Sequence, residues 1–293
     1  MATLNGAARW LARERVSDMP TISIEPKLTV FYEDAWYGEP WRKPETMLLI
    51  HGVAESSRAW YGWMPPLVSK FRVVAPDLPG FGRSSIPAPQ FEWSMAHFAA
   101  SIARFMDALS IDSAHIVGAK VGGSVAMQFA ADYPRRTRSL TVSSAPFRIS
   151  DTGGSIDVRT FAARIKEHGV RRWAEETQRT RLGRNAPEEQ VQWWNDMMAA
   201  TDPGVCVAAT GAAGRIDLLD KLSQITAPTL VITTDDNALL SLEKVREYQQ
   251  RIPNSKLLVL PSDSYHPAAT MPAECVASVL AFIATARVNA QLP

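Results

Sequence analysis

Short, nearly continuous apolar runs recur along the chain: ETMLLIHG, FRVVAP, AHIVG, SLTVSSAP, PTLVITT and KLLVLPS. Runs of this length, rich in β-branched residues and without polar alternation, predict strands buried on both faces, as in a parallel sheet. Near the start, TISIEP and KLTVFYED alternate in part between apolar and polar positions and predict two antiparallel strands. Between the runs, apolar residues return at helical spacing over residues 56–70, 94–109, 121–133, 241–252 and 271–286. Strand and helix in alternation predict an α/β fold, a mostly parallel, doubly wound sheet covered by helices on both sides.

One stretch breaks this rhythm. Residues 148–215 carry no convincing strand and instead place Trp173, Trp193, Trp194, Met197 and Met198 in helical patterns, bounded by SDTGGS and TGAAGR. This predicts a helical cap inserted in the fold. The expected organisation is an N-terminal extension over 1–20, a core made of 21–147 and 216–293, and a cap over 148–215. Most aromatic and Met residues of such a cap fill its own interior, while Trp173, Trp193 and Trp194 are candidates for a pocket wall.

Composition narrows the function classes. Lys plus Arg number 31 and Asp plus Glu 30, a formal net charge of +1, so nothing points to nucleic acid or to an acidic membrane surface. Arg164, Arg171, Arg172, Arg179, Arg181 and Arg184 gather in the cap but are interleaved with Glu167, Glu175 and Glu176. They read as a solvated helical face, with attraction of an anionic substrate as the other reading. The two cysteines, Cys206 and Cys275, stand in unrelated contexts, which suits a reducing compartment. MATLNGAARWLARERV lacks the continuous apolar stretch of a secretory signal, and no apolar run reaches membrane-span length. A soluble cytoplasmic protein acting on a small molecule is expected, with no membrane partner and no set oligomeric state. Without a dinucleotide fingerprint, a P-loop or paired metal-ligand spacing, no cofactor and no metal are expected.

The chemistry converges on HIVGAKVGGSVAMQFAADYP, His115 to Pro134. It has the form of a nucleophile elbow, G-x-S-x-G, with Lys120 where the serine belongs. LLIHGVAESSRAW, VVAPDLPGFGRSS, PTLVITTDDNALLSLE and LLVLPSDSYHPAATMPAECVASVLAFI stand before and after it in order. Together these five motifs resemble the α/β-hydrolase fold superfamily over nearly the whole chain from about Thr21. The arrangement is similar to cap-bearing members such as the meta-cleavage-product C–C hydrolases, epoxide hydrolases and haloalkane dehalogenases. The resemblance implies an oxyanion hole from the backbone N–H groups of Val53 and Val121, a catalytic histidine at His266, and an acid at Asp236 or Asn237. His51 belongs to the His-Gly turn and is at most a pocket residue; Asp77 is expected to organise its own turn through backbone N–H groups.

Lysine at the elbow changes the reaction. Attack by Lys120 on an ester would leave an amide on the enzyme, and turnover would stop. A neutral amine could instead form a Schiff base with a ketone or β-dicarbonyl, the electron sink for C–C cleavage. A charged Lys120 could clamp a carboxylate or developing enolate beside the oxyanion hole, with His266 as acid or base. The sequence therefore predicts cleavage of a C–C, C–N or ester-like bond in a small carbonyl or carboxylate substrate by a non-serine mechanism, as hydrolase or lyase. The alternatives are a catalytically silent ligand-binding relative or an inactivated serine-type hydrolase.

Overall fold

A computed structural model describes residues 20–291, with side chains to Ala286. Of the expected extension over 1–20, all but Pro20 lies outside the described residues. In chain order the elements are β1 (Thr21–Glu25), β2 (Leu28–Ala35), β3 (Thr46–Ile50), α1 (Met64–Leu67), β4 (Arg72–Pro76), α2 (Met95–Ala108), β5 (Ala114–Ala119) and α3 (Val121–Asp132). There follow β6 (Thr137–Ser143), α4 (Phe161–Leu182), α5 (Glu188–Ala199), α6 (Pro203–Ala213), α7 (Leu219–Leu222) and β7 (Thr229–Thr234). The chain closes with α8 (Leu242–Gln250), β8 (Ser255–Leu260), α9 (Pro267–Thr270) and α10 (Pro272–Gln291).

The eight strands form one sheet in the order β1-β2-β4-β3-β5-β6-β7-β8. β2 pairs antiparallel with β1 and β4, and the remaining pairs are parallel. Each of the eight predicted runs is a strand of this sheet. Every residue of β3, β5 and β7 is buried, because helices cover both faces. One face packs on α2, α3 and α8 through residues such as Phe98, Phe129 and Val245. The other packs on α1 and α10 through Trp63, Leu67, Cys275 and Val279. Both cysteines are buried and free, and burial raises each thiol to about 12.

One helix expectation fails. Residues 56–70 form a 3₁₀ turn, Ser57–Trp60, and the single turn α1. Pro65 and Pro66 lack the N–H groups that a helix running through them needs. Gly62 meanwhile lies against α10, where a Cβ would stand 2.7 Å from Pro272.

Between β6 and β7 the chain makes α4, α5, α6 and the single turn α7, with α4 packed on α5 and α6. Bridges Arg148↔Asp217 and Gly153↔Leu240 tie the segment to the chain before and after β7. α4 is broken at Gly169, whose φ of 81° and ψ of 165° are not helical. Beyond that break the helix turns Trp173, Thr177, Gln178 and Arg181 inward.

Candidate active site

The carboxyl ends of the parallel strands carry the chemistry. β5 ends at Ala119 and α3 begins at Val121, leaving Lys120 alone on the turn with φ 53° and ψ −124°. A side chain in this left-handed region costs free energy that the surroundings must offset. Here the Lys120 N–H donates to Ser143 O at 2.9 Å, and the Lys120 carbonyl accepts from Gly123 and Ser124. The flanking glycines allow the close approach: a Cβ on Gly122 would stand 2.3 Å from His51 O, and one on Gly118 2.3 Å from Gly122 O.

Lys120 Nζ donates to Glu55 Oε1 at 2.5 Å, with the lysine side chain 8% and the glutamate 0% exposed. Glu55 belongs to the loop after β3, and its other oxygen accepts the Gly52 N–H at 2.9 Å. Ala54, at φ 58°, turns the chain just before it. His266, on the loop after β8, places Nε2 3.2 Å from the same Glu55 Oε1. That contact is not in line for a hydrogen bond, and the imidazole Nδ1 has no partner. Its backbone N–H donates to Ser264 Oγ, and Ser264 Oγ–H donates to Arg181 O, which ties the histidine loop to α4. The Trp194 ring meets the imidazole edge-on at 5.0 Å.

The structure brings Lys120 and His266 together, but around an acid that the sequence reading did not single out. Glu55 stands within HGVAESS, where a carboxylate just past a buried turn was the available signal. Neither expected acid approaches His266. Asp236 is 78% exposed, with Arg184 as its ion-pair neighbour at 3.8 Å. Asn237 is buried, accepts the Leu239 and Leu240 N–H groups, and donates to Ser144 Oγ and Thr233 Oγ1. It braces its own loop. His51 is likewise engaged, with Nε2 accepting the Leu78 N–H and Nδ1 2.7 Å from Gly52 O. Asp77 accepts N–H groups from Ser57 and Arg83 at its turn.

A cavity of about 50 Å³ opens beside Lys120, room for a few water molecules. Val53, Val121 and Tyr265 line it from the core, and Phe161, Trp173 and Arg181 line it from α4. Trp193 borders a different hollow near Arg58 and Asp196, and Trp194 reaches the site through its contact with His266. Glu55 and His266 do not line this cavity; Glu55 borders the hollow near Arg58 instead. Of the six clustered arginines, five sit at the surface in ion pairs. Arg181 is the buried exception, 2% exposed.

Electrostatics follow from burial and this pairing. Burial pushes the Glu55 carboxyl up, but the charge of Lys120 beside it acts the other way, and the carboxyl lies below the usual carboxylate range. Burial lowers Lys120, against the pull of Glu55 and with the help of the Arg181 charge. Burial also lowers His266, so its imidazole is neutral at neutral pH. The arrangement is a buried amine on a fixed carboxylate with a neutral imidazole beside it, able to move protons and to stabilise negative charge. Among the described residues no cluster of His, Cys, Asp and Glu is arranged to hold a metal ion, and no helix is long and apolar enough to cross a membrane.

Comparison with known proteins bears on this geometry. The model of a family described as alpha/beta hydrolase fold matches residues 45–191. A pimeloyl-[acyl-carrier protein] methyl ester esterase of Aeromonas hydrophila is 28% identical over 246 residues, 81% of this chain and 94% of that protein. A poly(3-hydroxyalkanoate) depolymerase of Ectopseudomonas oleovorans is 27% identical over 253 residues, 83% of this chain and 84% of that one. Among solved structures, a thermophilic esterase from Thermogutta terrifontis superposes with a TM-score of 0.76 at 27% identity, covering 88% of this chain and 94% of its own. The enol-lactonase of Burkholderia xenovorans shares the fold, with a TM-score of 0.81 at 19% identity over 90% of this chain and all of that one.

Proposed function

The chain belongs to the α/β hydrolase fold family, and from that premise we propose a hydrolase of small carbonyl compounds in which a lysine–glutamate pair, Lys120 with Glu55, takes the place of a serine nucleophile. The observation that carries this reading is the 2.5 Å contact from Lys120 Nζ to Glu55 Oε1, with His266 3.2 Å from the same oxygen. A charge-assisted bond of this kind favours the ammonium as the form that meets the substrate. It also explains how a lysine at the elbow avoids a dead-end amide: it polarises the carbonyl instead of attacking it.

Lys120, unlike Glu55 and His266, lines the cavity, so it is the group of the three that touches the substrate. The ammonium donates to the carbonyl oxygen as negative charge develops there. The N–H groups of Val53 and Val121 serve the same oxygen; Val121 is the first residue of α3, so its N–H has no intrahelical acceptor. Water attacks the carbonyl carbon, one proton leaves it, and one reaches the departing group. Lys120, Glu55 and the neutral His266 carry that exchange. The esterase and depolymerase among the relatives support ester-like bonds ahead of C–N or C–C bonds. The 148–215 segment acts as a cap, since α4 and α6 supply Trp173, Arg181, Thr210 and Ala213 to the cavity wall. Two buried free thiols fit a cytoplasmic setting.

The test is turnover of a panel of small esters, lactones and β-diketones by the native protein and by Lys120→Met, with borohydride reduction in parallel. Loss of a donor to a developing oxyanion costs roughly 100- to 1,000-fold in kcat, and no adduct forms on Lys120. Unchanged turnover in Lys120→Met would overturn the reading. A Lys120 adduct would replace the polarising ammonium with a Schiff base, which the downward pull of burial on its pKa would then explain. Native protein inert across the panel would leave a ligand-binding relative.

A further inference from the structure

Arg181 is the one member of the arginine cluster without an acid. Arg164 and Arg172 share Glu176, Arg171 pairs with Asp196, Arg179 with Glu188 and Arg184 with Asp263. Arg181, 2% exposed, has no carboxylate within ion-pair distance among the described residues. Its guanidinium lies over the Trp173 ring, 4.5 Å from the centroid, and Nη1 donates to Thr177 Oγ1. Nε and Nη2 have no acceptor among the described residues. An unpaired buried cation is unfavourable, and proteins rarely retain one without a partner that visits it.

The cavity shows what that partner is. The charged side chains on its wall are Lys120 and Arg181, both cationic, and Glu55 compensates the first alone. One positive charge is left facing a space otherwise walled by Val158, Phe161, Ile149 and Leu239. The free edge of the guanidinium, Nε with Nη2, is the fork that binds a planar carboxylate through two parallel hydrogen bonds.

The geometry points to a small substrate that is itself a carboxylate: its anionic group docks on the Nε/Nη2 edge of Arg181 and its reacting carbonyl lies against Lys120. This deepens the reading of the same cavity given above and names its substrate class. Arg181 is a binding and orienting group, since the bond that breaks lies at the elbow. A carboxylated ester or lactone meets the description, and its neutral counterpart does not.

Calorimetric titration with benzoate and with benzamide, its neutral isostere, tests the docking without requiring turnover. The native protein binds benzoate at least 10-fold more tightly than benzamide. Arg181→Met, which keeps the stem and removes the charge, loses that preference. Arg181→Lys, which keeps the charge and loses the fork, restores part of it and guards against a folding defect, with thermal unfolding run on each variant. The readout is binding and needs no turnover, so this outcome stands even if the catalytic reading above fails. Equal affinity for benzoate and benzamide in the native protein, or a benzoate preference that survives in Arg181→Met, overturns the assignment.

Discussion

Replacing Glu55 by glutamine removes one charge and almost no volume from the centre of the site. The Lys120 ammonium, 8% exposed, then faces a neutral amide. It can remain charged without a counter-ion, or it can lose its proton. Breaking a buried pair by removing one partner costs about 3–5 kcal/mol. Losing the proton sets an independent ceiling: from an unfolded-state value near 10.4, neutralising a lysine at pH 7 costs about 4.6 kcal/mol. The two routes agree, so Glu55→Gln is expected to be less stable than the native protein by about 3–5 kcal/mol at pH 7. The pH dependence identifies the cause. Without Glu55, burial and Arg181 both depress the Lys120 pKa, and nothing opposes them. Between that depressed value and the unfolded one, the unfolded chain binds the extra proton, so stability rises with pH across the window. At pH 9 the ceiling falls to about 1.9 kcal/mol, and the deficit narrows with it. Urea unfolding followed by tryptophan fluorescence at pH 7 and pH 9 reads both numbers, and Glu55→Gln combined with Lys120→Met should recover more than half of the loss. A deficit within about 0.5 kcal/mol at both pH values, the range of ordinary surface changes, would refute a buried lysine–glutamate pair.

Three further outcomes follow from the same geometry. Because burial holds His266 below its ordinary 6.5, the neutral imidazole persists under that pH, so turnover should stay level from pH 8 through 6.5 and fall at lower pH; a half-loss at 6.5 or above in a pH–rate profile would contradict the buried imidazole. Asp236→Ala should shift stability by no more than about 0.5 kcal/mol, whereas Asn237→Ala, which loses two accepted and two donated contacts, should cost about 1–3 kcal/mol; thermal unfolding of the two proteins side by side decides. Lys120→Ser should not gain serine-type esterase activity, because His266 Nδ1 has no acid behind it and Glu55 occupies the Nε2 side; a burst of acyl-enzyme formation with an activated ester would show otherwise.

How much of this was readable from the residues differs between scaffold and site. Each of the eight strands lay under a stretch whose own apolar pattern announced it, and the helices at 94–109, 121–133 and 241–252 fell within two residues of Met95–Ala108, Val121–Asp132 and Leu242–Gln250. The exception, 56–70, was broken by two prolines and by the contact of Gly62 with Pro272, the second of which no local pattern reports. The elbow was visible because its glycines answer to a backbone constraint within five residues. The acid was not. Asp236 and Asn237 were placed by the frame of a loop, and the frame holds, yet one side chain points to solvent and the other is spent on its own turn.

The sequence by itself therefore determined the sheet, its covering helices, the helical insertion and the position of an amine at the end of β5. These depend on periodicity and backbone sterics among neighbouring residues. Tertiary structure alone decided which groups meet that amine. Glu55 lies 65 residues from Lys120 in the chain, and His266 arrives from the far edge of the sheet. Which arginine of six would be buried depended on how α4 rotates beyond its break at Gly169. Contacts between distant segments carry the chemistry, and their energies depend on burial and charge that exist only once the chain has closed around them.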